Sequence, residues 1–173
     1  MNLRTLKSIS VKGKTVLVRV DYNVPLQKVN GKLVVTDATR IRLSLPTLKY
    51  LLKQNCRLVL VSHNGRPDGQ VMDEFRLDPI AAKLSDLLKR PVKKIDTCFG
   101  PQVTTAVAAL KPKDILMLEN IRFDPGETSN DPRLAKFLAG LADIVVNEAF
   151  SASHRAHASV SGVAKYSPMI AGL

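Results

Sequence analysis

The chain has 173 residues, is 45% hydrophobic and carries a formal charge of +11, with 26 Lys and Arg against 15 Asp and Glu. That length suits one domain with a sizeable core, and the composition excludes a disordered or fibrous protein. No apolar run approaches the roughly 20 residues of a membrane span and the N-terminus lacks a signal-type segment, so a cytoplasmic protein is expected.

Thr15 to Asp21, TVLVRVD, is a mostly apolar run that predicts a first strand. Asn23 to Val35 is polar and contains Asn30-Gly31, which predicts a loop or hairpin. Thr36 and Asp37 offer caps for a helix on which Ile41, Leu45, Leu48, Leu51 and Leu52 share one face. Arg40 falls in its first turn. Pro46 is expected to kink that helix or restart it, because it lacks an N–H and crowds the preceding turn.

A second strand, Arg57 to Ser62, breaks into the polar sequence His63-Asn64-Gly65-Arg66-Pro67. Asp78-Pro79 reads as a capping residue with proline at the first helical position, starting a helix that reaches about Leu88. A short strand near Val92 to Ile95, a helix from Gly100-Pro101 to about Leu110 and a strand from Ile115 to Leu118 follow. Asp131-Pro132 starts another helix, ending at Gly140, and Ile144 to Asn147 is a strand that opens into SASHRAHAS. About five alternations of strand and helix predict a single α/β domain. Its sheet is doubly wound, mainly parallel and Rossmann-like, with helices on both faces.

Four of the strands end in polar or cationic groups: Asp21 and Asn23, then His63 and Arg66, then Asn120 and Arg122, then Asn147, His154 and Arg155. In open parallel sheets the carboxyl rim is where ligands bind. Arg66, Arg122 and Arg155 gathered on one spot would repel one another unless an anion offsets them, and planar five-donor guanidiniums suit phosphate. Asp21 and Asn23 suit a hydroxyl or the orientation of an arginine, although Asp21 equally suits neutralising Arg19 or Arg40. No Walker A or glycine fingerprint occurs, and Ser62 lacks a nucleophile elbow. His63, His154 and His157 lack metal-ligand spacing and carboxylate companions, so no metal is expected. Cys56 and Cys98 predict buried or half-buried free thiols. The basic charge admits a nucleic-acid-binding module as a second class. However, the cations are dispersed and aromatics are scarce, so no nucleic-acid partner is expected.

RVDYNVP, TRIR, SHNGRP, MLENIRF, VNEAF and SHRAHAS, in that order and over essentially the whole chain, resemble the N-terminal domain of the phosphoglycerate kinases. The resemblance implies residues 1–173 as the substrate-binding domain for 3-phosphoglycerate or 1,3-bisphosphoglycerate. A C-terminal domain, missing here, would hold Mg-ATP or Mg-ADP, and no cofactor is expected on this chain. It further implies that Asp21, Tyr22 and Asn23 meet the hydroxyl and carboxyl region. Arg40, the one candidate catalytic residue, would bind the carboxyl group and reach the transferred phosphoryl. His63, Asn64 and Gly65 would line the site, and Arg66, Arg122 and Arg155 would hold the phosphate that stays. Asn64, Glu148 and Ser151 depart from the usual leucine, aspartate and glycine, and a buried Asn64 would need partners for its amide. On this resemblance the chain is expected to be a monomer that binds 3-phosphoglycerate without turnover.

Overall fold

The computed structural model describes residues 5–150 and 156–173. Strands β1 (Thr15–Val20), β4 (Arg57–Val61), β6 (Ile115–Met117) and β7 (Ile144–Glu148) form the centre of a six-stranded sheet. The short β5 (Lys93–Lys94) and β8 (Met169–Ala171) form its edges, and the strand order is β5-β6-β4-β1-β7-β8. All five pairings are parallel. Thr15–Arg19 lies opposite Arg57–Val61 on one side, and Val16–Val20 lies opposite Ile144–Glu148 on the other.

Alternation along each strand divides the core in two. Val16, Val18, Val20, Leu58, Leu60, Ile115, Met117 and Val146 pack with Ile41, Leu48, Leu51 and Leu52 of α1 (Thr39–Lys53) and with Ile80 and Leu84 of α2 (Asp78–Leu88). Leu17, Val59, Val61, Leu116 and Val145 face the other way. They meet Val103 of α3 (Pro101–Ala108) and Leu134, Ala135 and Leu138 of α4 (Pro132–Gly140). Burial on both faces is why the strands read as nearly unbroken apolar runs, and it produces the expected layer of helices on each side. Both cysteines are free and buried, as expected.

Several local features differ from expectation. Helix α1 runs unbroken through Pro46, which is exposed, so the carbonyl deprived of its helical partner lies on the solvent side where water can serve it. Asp78 is not the cap of α2. Leu77 occupies that position, Asp78 binds Lys94 at 2.9 Å, and the Leu77 N–H goes to the buried Glu119 Oε1 at 3.0 Å. Strand β8 is not evident in the sequence, since three residues are too few to show a period. By contrast Asp131 caps α4 as expected, accepting from the Arg133 N–H at 2.7 Å. The Asn23 to Val35 segment contains an antiparallel hairpin, β2 (Leu26–Val29) and β3 (Lys32–Val35). Its turn has positive φ at Asn30 and Gly31, the backbone that matches strand twist in a two-residue turn.

Candidate functional site

The carboxyl ends of β1, β4 and β6 are neighbours in the sheet, and hydrogen bonds tie the loops that leave them. Asn23 Oδ1 accepts from the Gly65 N–H at 3.0 Å, and Gly65 C=O accepts from Arg122 Nη1 at 2.7 Å. Gly65 has φ +67°, and a Cβ there would lie 2.3 Å from the Phe75 ring, so both backbone and space require glycine. Asn64 is buried and finds the partners its amide needs: Nδ2 donates to Val24 C=O at 2.8 Å and Tyr22 C=O at 3.3 Å. Asn120 closes the same unit from β6, donating to Asn64 C=O at 2.7 Å and Phe75 C=O at 2.9 Å.

Arg66 and Arg122 line one small concavity of about 110 Å³, together with Asp68, Thr128 and His157. Arg66 is exposed, whereas Arg122 is largely buried and braced by the Gly65 carbonyl. Two of the three expected arginines therefore face the same spot. Arg155, like His154, lies outside the described residues; His157, two positions further on, belongs to the concavity.

Asp21 and Arg40 line a second concavity of about 450 Å³ with Leu43, Ser44, Glu148, Phe150 and Leu173. The carboxylate of Asp21 is paired with Arg40, which the first turn of α1 presents with its side chain 47% exposed. Asp21 and Arg40 therefore stand as an ion pair on the wall of this concavity. Glu148 accepts from Thr47 Oγ1 of α1 and from the Leu173 N–H, and burial raises its carboxyl above the usual range. Tyr22 turns inward. Its ring is fully buried, its hydroxyl bonds Ser44 at 2.7 Å, and burial pushes the phenol up. A third hollow, about 630 Å³, is lined by Asn23, Asn64, Gly65, Glu74, Phe75 and the hairpin side.

Two residues not singled out from sequence support this rim. Arg19 is wholly buried: its Nε donates to Ser159 Oγ at 2.8 Å, and Nη2 lies 3.1 Å from His63 Nδ1. Glu127, also wholly buried, lies 3.9 Å from Arg19 and accepts from Ser159 N–H at 2.9 Å and Ser159 Oγ at 2.7 Å. Burial opposes its charge, but His157, Arg19 and Ser159 together hold the carboxyl below its ordinary range. The signal for Arg19 was one charge inside a strand otherwise apolar on both faces; Glu127 sits in a polar loop where nothing marks it.

The family model described as "Phosphoglycerate kinase" matches residues 6–173. The chain belongs to the phosphoglycerate kinase family. A curated phosphoglycerate kinase of Moorella thermoacetica (strain ATCC 39073 / JCM 9320) is 56% identical over 168 residues, covering 97% of this chain and 42% of that protein. The solved phosphoglycerate kinase of Coxiella burnetii superposes with a TM-score of 0.84 at 35% identity, covering 99% of this chain and 41% of that one. That of Pyrococcus horikoshii OT3 gives 0.86 at 31%, covering 98% and 42%. The chain thus spans about two-fifths of the length of these phosphoglycerate kinases.

Proposed function

We propose that the chain is the substrate-binding half of an enzyme that reversibly moves a phosphoryl group from 1,3-bisphosphoglycerate to ADP, giving 3-phosphoglycerate and ATP. The observation that carries this reading is the shared concavity of Arg66 and Arg122, whose repulsion a phosphate would offset. On this reading Arg66, Arg122 and Arg155 hold the phosphate that stays. On the same reading Asp21 and Asn23, with Tyr22 between them, meet the hydroxyl and carboxyl region, and His63 with the backbone of Asn64 and Gly65 lines the site. Arg40, paired with Asp21, offers its guanidinium to the transferred phosphoryl. Such chemistry needs positioning and cationic stabilisation rather than a protein nucleophile. The residues named here are assigned to 3-phosphoglycerate and none of them to magnesium or a nucleotide, and on this reading the chain binds 3-phosphoglycerate as a cytoplasmic monomer without turnover.

Calorimetry with 3-phosphoglycerate tests the reading against a duplex oligonucleotide at two salt concentrations. Arg66→Ala should weaken 3-phosphoglycerate binding by about 1.5–3 kcal/mol, the loss of a charge-assisted hydrogen bond. An unchanged affinity would count against the placement of the anion. Oligonucleotide binding with a steep salt slope, and none to the small anion, would favour the nucleic-acid module instead.

A further inference from the structure

We propose that the amino-terminal end of the sheet is a docking face for an anionic lipid surface, opposite the rim that carries the candidate site. This inference does not depend on the function proposed above. Parallel strands gather their amino ends at one end of the molecule, and the segments that open β1, β5 and β6 bring five exposed lysines there: Lys12, Lys89, Lys93, Lys111 and Lys113. Among the described residues, the segments that enter the six strands of the sheet hold two acids, and both have partners inside the protein. Asp143 accepts from the Thr15 N–H at 2.8 Å, and Asp114 accepts from the Lys111 N–H at 3.0 Å and lies 3.6 Å from Lys93. The loops that leave β1, β4 and β6, by contrast, carry Asp21, Asp68, Asp73, Glu119, Asp124 and Glu127, so the surplus of +11 is weighted toward the lysine end.

The lysines stand on a fixed and nearly level platform. Gly13 N–H donates to Gln54 C=O at 2.9 Å, Arg57 N–H to Lys14 C=O at 3.0 Å and Lys113 N–H to Cys56 C=O at 2.9 Å, which joins the segments entering β1, β4 and β6. Arg57 Nη2 donates to Gly13 C=O at 3.1 Å, and Arg90 Nη1 donates to Lys113 C=O at 3.0 Å, which brings in the start of β5. Thr15 lies opposite Arg57, Leu58 opposite Ile115 and Leu116 opposite Lys93, so these four neighbouring strands begin within two residues, about 7 Å, of one level. Lys89 and Lys113 have φ of +54° and +70°, where glycine is the easier residue, and each keeps a charged side chain there. Both arginines commit donors to backbone carbonyls, so the face presents chiefly lysine ammonium groups, which are point charges on flexible stems. A level array of that kind matches the diffuse charge of lipid headgroups better than the ridged, convex backbone of a duplex. The segments contain no aromatic residue to stack on a base, and none of the exposed large apolar side chains that would enter the hydrocarbon. Attachment is therefore by charge alone and reversible. Docked by this end, the molecule turns its arginine-lined concavity toward solution.

Sedimentation of the 173-residue chain with phosphatidylcholine vesicles, with and without phosphatidylserine, tests this. The chain should pellet only with the anionic vesicles and should be released as salt rises. Lys111→Gln/Lys113→Gln should weaken binding about twenty-five-fold, roughly fivefold for each lysine held near a charged surface. Lys28→Gln/Lys32→Gln removes the same charge from the exposed hairpin that follows the carboxyl end of β1, and should weaken binding by no more than about twofold. No binding to the anionic vesicles overturns the proposal. So does equal weakening by the two pairs, which would make net charge and not this face responsible. Tighter binding of a duplex oligonucleotide, lost in Lys111→Gln/Lys113→Gln, overturns lipid as the partner in favour of nucleic acid. Vesicle binding should persist in excess 3-phosphoglycerate, and competition between the two would overturn the placement of the face.

Discussion

Two glutamates show how much a residue's surroundings decide. Glu127 and Glu148 both lie close to the rim, but Glu127 is held below the carboxylate range by His157, Arg19 and Ser159, while burial lifts Glu148. A depressed folded pKa contributes stability that is present above the unfolded value, about 4.3, and is lost as pH falls through the folded one. For a raised pKa the sign reverses, and ionising Glu148 costs stability as pH rises above that unfolded value. Glu127→Gln should therefore destabilise by about 3–5 kcal/mol at pH 7, because Arg19 loses its buried counter-charge and keeps only the field of Asp21, with the deficit shrinking at pH 4 and below. Glu148→Gln keeps an acceptor for Thr47 and the Leu173 N–H, and should be neutral or slightly stabilising at pH 7. Urea melts of both variants across that pH range check the opposite signs; a parallel response would mean that charge burial is not what separates them. The thiols follow from burial too. Cys98 is pushed up to about 12, and should resist alkylation at pH 8 until the chain unfolds.

At the scale of elements, the loops leaving β1, β4 and β6 act as one unit because Asn23, Gly65, Asn64, Asn120 and Arg122 bond across them. Gly65→Ala strikes the middle of that unit. An L side chain at φ +67°, driven into the Phe75 ring, should cost about 2–4 kcal/mol from backbone strain and overpacking. It should also weaken 3-phosphoglycerate binding through Arg122, whose guanidinium rests on the Gly65 carbonyl. A variant with the wild-type urea midpoint would show that the loop relaxes freely. Away from the rim, Lys94 Nζ sits between Glu119 at 2.6 Å, Asp96 at 2.7 Å and Asp78 at 2.9 Å, joining the start of α2 to the ends of β5 and β6. The three carboxylates therefore already hold a cation of their own.

For the molecule as a whole, the net charge of +11 and the gathered arginines predict stabilisation by a small multiply charged anion. At a hundredfold excess over its Kd, 3-phosphoglycerate should add about 2.7 kcal/mol, several degrees in Tm. The shift should fall with salt as screening shortens the reach of the charges. A flat thermal titration with 3-phosphoglycerate would contradict the proposed ligand, and turnover in a coupled assay by the chain alone would contradict the proposed lack of turnover.

How much of this was legible in the residues depends on the range over which each feature is determined. The order of strands and helices, the Asn30-Gly31 turn and the Asp131 cap are set by contacts within a few positions, and the sequence displays them. The rim was legible because parallel strands send their carboxyl ends one way, so that Arg66 and Arg122, 56 positions apart in the chain, face one concavity. Periodicity did not reveal that Tyr22 turns into the core, that Glu119 replaces Asp78 as the acceptor at the start of α2, or that Arg19 and Glu127 share a buried pocket. Each of these depends on which distant backbone or side chain arrives at a desolvated site. Burial multiplies the cost of a missing partner, so only the packed chain decides which polar groups meet.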